Sequence, residues 1–286
     1  MTVLIEGLAD VADGYDVLFS DIWGVIHNGR ESFPAACEAL VTWRNLHGPV
    51  VLISNSPRPA PGVVAQLDDL GVSRDAWTSI VTSGDATRVL LAERAPGPAW
   101  RIGPERDDPL YEGLGLLYAP QDAARFIACS GPDDDDVETP EDYRERLADA
   151  AARGLEMVCA NPDRVVQRGD RLIYCGGALA ALYESLGGAT VMAGKPFKPI
   201  YDLALDSAAS ALGRAPDPRR ILVVGDGVIT DIAGAQGQGL DRLFIATGIH
   251  AAEAAGPDGR LTADGVERLL GQSGLTAQFA MGDLVW

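Results

Sequence analysis

Three short apolar runs, each closing on a small polar or acidic residue, constrain this chain more than any other feature. They are Val17-Leu18-Phe19-Ser20 before Asp21, Val50-Val51-Leu52-Ile53 before Ser54, and Ile221-Leu222-Val223-Val224 before Gly225-Asp226. Runs of this length without polar alternation read as strands buried on both faces, the pattern of parallel sheets covered by helices. Ligands of open parallel sheets bind beyond the carboxyl ends of the strands, so Asp21, Ser54 and Asp226 are expected along one edge. Gly24, three residues after Asp21, supplies the backbone freedom of a tight loop. Taken alone, Asp21 reads equally as a turn cap or as a catalytic carboxylate.

Helical segments separate the runs. Residues 1–14 show helix-like apolar spacing at Leu4, Ile5, Leu8 and Val11. Ser32 and Pro34 make a cap-like start to a helix running through Trp43, which completes a βαβ unit with the strand ending at Ser54. A helix over 61–70, a short strand over 79–84 and a helix over 85–94 follow. From Pro96 the prolines and glycines break this alternation, with short strands expected at 101–103, 114–118 and 124–130. Asp133–Asp136 is expected to be a solvated turn rather than a metal site, since no calcium-loop pattern surrounds it. Beyond a helix from Pro140 to about Arg153, strands are expected at 155–160 and 190–194. Helices are expected from Gly176-Gly177 and over 199–212, and the last strand spans 243–248. The chain shows no internal repeat.

Composition removes several classes of function. With 41 acidic against 23 basic residues the formal charge is −18, which repels phosphate backbones and anionic lipid surfaces, so neither nucleic acid nor membrane is an expected partner. A phosphate site in such a chain needs local cations, a metal or backbone N–H donors. Four cysteines without Cys-x-x-Cys spacing suggest neither a disulfide framework nor a zinc site. Glu6, Asp10 and Asp13 stand where a secretory signal is basic and then apolar, and no apolar run reaches the length of a membrane span, so a soluble cytoplasmic protein is expected.

Lys195 sits in Gly194-Lys195-Pro196, and Asp231 follows Asp226 by five residues in Gly225-Asp226-Gly227-Val228-Ile229-Thr230-Asp231. The ordered set of Asp21, Ser54, Gly194-Lys195-Pro196 and Gly225-Asp226 with Thr230-Asp231 resembles the four motifs of the haloacid dehalogenase-like superfamily. About 140 residues separate Ser54 from Lys195, the place where that superfamily inserts its type II cap. Val25–Gly29, Ser54-Asn55-Ser56 and Ala160-Asn161-Pro162-Asp163 are similar to the subgroup of sugar-phosphate and phenyl phosphate phosphatases related to N-acetylglucosamine-phosphate phosphatase.

The resemblance implies an α/β fold: a Rossmann-like parallel-sheet core over 1–88 and 190–286, and an inserted α/β cap over 89–189, with the active site where cap and core meet. It implies Asp21 as a nucleophile forming an aspartyl-phosphate, Ser54 as a hydrogen-bond donor to a phosphoryl oxygen, and Lys195 as the neutralising cation. Magnesium would be held by Asp21, the Trp23 carbonyl, Asp226 and Asp231. Trp23, Gly24, Asn55, Asn161 and Asp163 are the expected substrate contacts. The implied partner is a small phosphorylated metabolite, and a homodimer through the cap is the family-based expectation.

Trp23 is the departure. Phosphatases of the superfamily carry a second Asp two residues after the nucleophile, which protonates the leaving oxygen and then activates water. An indole has no titratable proton in the useful range, and losing a positioned acid–base removes about 10²- to 10⁴-fold in rate. Three repairs are open: His27 as acid and base, a group from the cap such as Asp163 or Arg164, or a substrate with a good leaving group. The expected function is magnesium-dependent hydrolysis of a small phosphate monoester. The alternatives are a phosphometabolite-binding or regulatory protein without turnover and, because superfamily dehalogenases also carry an aromatic here, dehalogenation.

Overall fold

The computed structural model describes residues 1–168, 170–247, 250–256 and 259–286. Its strands are β1 (Val3–Leu4), β2 (Val17–Ser20), β3 (Val50–Ser54), β4 (Ser79–Thr82), β5 (Ala99–Ile102), β6 (Phe126–Cys129) and β7 (Glu156–Cys159). They continue with β8 (Val165–Arg168), β9 (Arg171–Tyr174), β10 (Ala189–Met192), β11 (Ile221–Gly225), β12 (Asp241–Ile245) and β13 (Phe279–Met281). The α-helices are α1 (Pro34–Leu46), α2 (Ala60–Asp69), α3 (Ser83–Ala92), α4 (Arg144–Ala152), α5 (Gly176–Ser185), α6 (Lys198–Leu212), α7 (Ala233–Gly237), α8 (Ala251–Ala254) and α9 (Ala263–Gly271). The chain divides into two compact units, one of residues 1–54, 64–81 and 201–286, the other of 55–63 and 82–200.

The first unit is built on a seven-stranded sheet in the order β1-β13-β12-β11-β2-β3-β4. The pairs β2·β3, β2·β11, β11·β12 and β12·β13 are all parallel. Every residue of β2, β3 and β11 is buried, as the unbroken apolar runs require. After β2 the chain proceeds through α1 to β3 on one side, whereas β11 leads to β12 on the other. The strand order therefore reverses between β2 and β11, the place at whose carboxyl ends open parallel sheets bind ligands. Ala36, Ala39, Leu40 and Trp43 of α1 are buried, and α9 contributes Val266, Leu269 and Leu270 to a cluster with Phe244 and Ala280.

A four-stranded sheet, β10-β7-β6-β5, also parallel, forms the second unit. Trp100, Ile127, Met157, Tyr143, Leu147, Leu179 and Tyr183 pack its core with α4 and α5. Mixed α/β architecture on parallel sheets is what the apolar runs predicted.

Several local expectations change. Residues 1–14 form no α-helix: β1 pairs with β13, Val3 opposite Phe279, and two 3₁₀ turns bury Leu8 and Ala12. A partner so distant in sequence leaves no trace in local periodicity. The strand expected at 114–118 is reduced to a single bridge between Ala99 and Tyr118, because Gly113 and Gly115 adopt φ of +74° and +68°, outside the extended region. Ser32 does not cap α1; its hydroxyl donates to the Leu70 carbonyl, 3.0 Å away, and Phe33 occupies the cap position before Pro34. The β8–β9 hairpin, β13 and α9 have no counterpart in the sequence reading. The expected boundaries at 88 and 190 fall inside α3 and β10, and Gly248, the expected end of the last strand, lies outside the described residues.

The start of α3 is fixed by a reciprocal capping box. Thr82 Oγ1 accepts from the Asp85 N–H at 2.9 Å, while the Asp85 carboxylate accepts from the Thr82 N–H at 3.2 Å and from the Ala60 N–H at 3.2 Å. Thr82→Ala is expected to cost about 1 kcal/mol. Urea unfolding of the variant beside the parent protein measures this, and an unchanged midpoint would show that the cap contributes nothing.

Candidate active site

The first unit gathers Asp21, Asp226 and Asp231, each offering a carboxylate oxygen within 4.8 Å of the others. Asp21 follows β2 directly, and its N–H donates to the Val224 carbonyl of β11 at 2.8 Å, so the sheet ladder itself places the residue. The Ser20 hydroxyl donates to the Asp21 carbonyl at 2.9 Å. Asp226 leaves the end of β11. The loop after β2 reaches its carboxylate because residue 24 is glycine: φ is +89°, and a Cβ there would lie 2.1 Å from an Asp226 oxygen.

Asp231 arrives through a π-turn, Val228–Ile232, a wide helical geometry common at functional sites. Its N–H donates to the Gly227 carbonyl at 2.9 Å, and its carboxylate accepts from the Gly227 N–H at 3.0 Å. Asp21 and Asp231 are buried, as is Ser54 at the end of β3. Three carboxylates this close repel one another, and a hard cation with oxygen preference relieves the repulsion.

Trp23 is half-buried, its ring edge-on to His27 with centroids 5.1 Å apart. Gly29, at φ +84°, brings its backbone against the indole, where a Cβ would come within 2.5 Å of the ring. His27 is 1% exposed, and its Nδ1 accepts from the Gly29 N–H at 2.9 Å. That nitrogen is committed to holding the loop. The sequence could not show this, since a loop histidine reads the same whether free or packed.

Within the second unit, Asn55 joins two other expected site residues. Its amide nitrogen donates to Asp163 Oδ1 at 2.8 Å and to the Lys195 carbonyl at 3.1 Å, while its Oδ1 accepts from the Lys195 N–H at 2.7 Å. Both amide donors are thereby engaged by protein groups. Asn161 Oδ1 accepts from the Asp163 N–H at 3.1 Å, forming the turn that sets Asp163. These two asparagines, expected as substrate contacts, hold protein groups: Asn55 ties Lys195 to Asp163, and Asn161 sets the turn at Asp163. Lys195 is 3% exposed, a burial uncommon for an ammonium and suited to a positioned charge.

A Cβ on Gly194 would lie 2.5 Å from the Ser83 hydroxyl, so the Lys195 loop packs directly on the start of α3, a contact absent from the sequence reading. The Thr82-x-x-Asp85 spacing was the available signal. The run Asp133–Asp136 is a turn with three of its four residues exposed, as expected, and arginines pair with its second half. Asp135 is bound by Arg106 and, at 2.8 Å, by Arg168, and Asp136 lies 3.2 Å from Arg171.

Family models described as haloacid dehalogenase-like hydrolase and HAD-hydrolase-like match residues 18–116 and 192–269. The crystal structure of a hydrolase of the haloacid dehalogenase-like family from Brucella suis is 46% identical, covers 99% of this chain and 100% of its own, and superposes with a TM-score of 0.89. The D-glycerol 3-phosphate phosphatase of Mycobacterium tuberculosis is 29% identical over 86% of this chain and 67% of its own length. The p-nitrophenyl phosphatase from Archaeoglobus fulgidus, 23% identical over 94% of this chain and 96% of its own, shares the fold with a TM-score of 0.69. No helix among the described residues is long and apolar enough to cross a membrane. Motif order, sheet topology and near-complete coverage at this identity agree: the chain belongs to the haloacid dehalogenase-like hydrolase family.

Proposed function

We propose that this hydrolase is a magnesium-dependent phosphatase that cleaves a small phosphate monoester through Asp21. The gathering of Asp21 with Asp226 and Asp231 carries the reading. Oxygen-only donors fit magnesium, a hard cation held by carboxylates beside substrate oxygen, with one of the three carboxylates able to act through water. When bound by these three residues, the ion supplies positive charge that offsets the approach of one anion to another. The names of the relatives agree with an organic phosphate as substrate.

Asp21 attacks phosphorus, forming an O–P bond as the ester P–O bond breaks, and the leaving oxygen departs as the alcohol or phenol once protonated. Water then attacks the aspartyl-phosphate, releasing inorganic phosphate and restoring Asp21. Ser54 donates to a phosphoryl oxygen. Lys195, held through its backbone by Asn55, sets its charge against the phosphate. Because Trp23 offers no titratable proton, the leaving group's own acidity governs the first step, with His27 and Asp163 as the groups that can assist.

Binding of phosphometabolites without turnover is the second reading, and Trp23 is the observation that favours it. A phosphate-release screen over many phosphate esters, with and without magnesium, separates the two. Magnesium-dependent release supports hydrolysis; stoichiometric binding with no release at high protein concentration overturns it.

Asp21→Asn is expected to lower phosphate release at least about 10³-fold, by removing the attacking oxygen. Asp226→Asn should raise the magnesium concentration needed for half-maximal rate by about 10- to 100-fold, read from a metal titration. Trp23→Asp should speed hydrolysis of alkyl phosphates, up to about 10²-fold, and flatten the dependence of kcat on leaving-group acidity. An unaltered dependence would show that proton supply does not limit the rate.

A further inference from the structure

Resting on the phosphatase reading of Lys195, we propose that Ser83 is a positioning residue for that lysine: its hydroxyl oxygen, together with Asn55 Oδ1, backs Gly194 and fixes the turn from which Lys195 extends. All of these residues belong to the second unit.

Gly194 carries the geometry. A Cβ there would lie 2.5 Å from Ser83 Oγ, 2.7 Å from Asn55 Oδ1 and 2.8 Å from Ser83 Cβ. In glycine the direction of that Cβ is taken by a C–H bond, which therefore points at two oxygens. Such a contact is weakly attractive, and it is close enough that any side chain at residue 194 would push the loop away. Asn55 Oδ1 also accepts from the Lys195 N–H at 2.7 Å, so one oxygen holds residues 194 and 195 together. The turn closes on itself as the Phe197 N–H donates to the Gly194 carbonyl at 2.8 Å.

Ser83 is placed from two sides. It opens α3 inside the Thr82–Asp85 capping box, and the next residue, Gly84, donates its N–H to the Ser56 carbonyl at 3.0 Å. A Cβ on Gly84 would lie 2.2 Å from the Pro57 carbonyl oxygen, so the helix start and the segment after Asn55 are in direct contact. Both oxygens behind Gly194 thus come from one braced corner.

The Ser83 hydroxyl has no other duty. Ser83 is 0% exposed, and its Oγ forms no hydrogen bond with any described residue. Buried polar groups are normally paired, so an unpaired one calls for a reason, and contact with the Lys195 loop supplies it. Thr87, one turn further along α3, is a matched control. It is equally buried and its Oγ1 is likewise unpaired, yet none of its atoms is among the three nearest a Cβ on Gly194.

Amide hydrogen exchange in the full-length protein reads the turn directly, because the Lys195 N–H is the donor to Asn55. Ser83→Ala should speed exchange at Lys195 about 10-fold, while Thr87→Val leaves it unchanged and the urea midpoint of neither variant falls. Hydrolysis of p-nitrophenyl phosphate with magnesium gives the functional readout. The phosphoryl group bears its charge in the bound ester already, so a loosened Lys195 should raise KM about 10-fold with a smaller change in kcat. Exchange at Lys195 that is unmoved by Ser83→Ala, moved equally by Thr87→Val, or accompanied by a fall in the urea midpoint overturns the positioning role, as does an unaltered KM. Phosphate release by the parent protein is read separately. No release from any ester rejects the phosphatase reading alone, with the exchange result still deciding on Ser83.

Discussion

The parallel pairing of β2 with β11 is the contact on which the acidic centre depends. Val17 lies opposite Ile221 and Ser20 opposite Val224, and the ladder runs one step further, through the Asp21 N–H to the Val224 carbonyl. Two strands in this register deliver Asp21 and Asp226 to one edge without help from side-chain contacts. A slip of one residue would turn one strand's side chains to the other face and take Asp21 and Asp226 out of line with each other.

Glycines and a wide helical turn complete what the ladder begins. Gly24 lets one loop lie against the Asp226 carboxylate, and Gly227 donates to Asp231 as the π-turn brings that residue back. Each is a backbone solution to crowding among acidic groups, since a side chain at residue 24 would occupy the space of the carboxylate. The loop that carries Trp23 is packed as firmly, with His27 and Gly29 closing around the indole. The Trp23 indole is thus part of the loop's own packing.

In the second unit the organising group is neutral. Asn55 uses one amide to tie the Lys195 backbone to the Asp163 carboxylate, so a charge from one loop and a carboxylate from another share a single support. An amide suits this task because it donates and accepts in one plane and brings no charge of its own. Arg106 and Arg168 converge on the Asp135 carboxylate, beyond β6 in the chain.

Sequence alone determined the parallel α/β class, the order of the four motifs and the identity of the acidic residues, because unbroken apolar runs and strand-end polar residues are local signals. It also exposed the anomaly at Trp23, since a missing carboxylate is visible without coordinates. Only the tertiary structure decided what the side chains do. That Asn55 holds Lys195 and Asp163, and that arginines grip Asp135 and Asp136, depend on partners many residues away. The same holds for β1 on β13 and for the hairpin of β8 and β9. Local pattern records which face of an element is apolar; it carries no record of which distant atom will stand opposite.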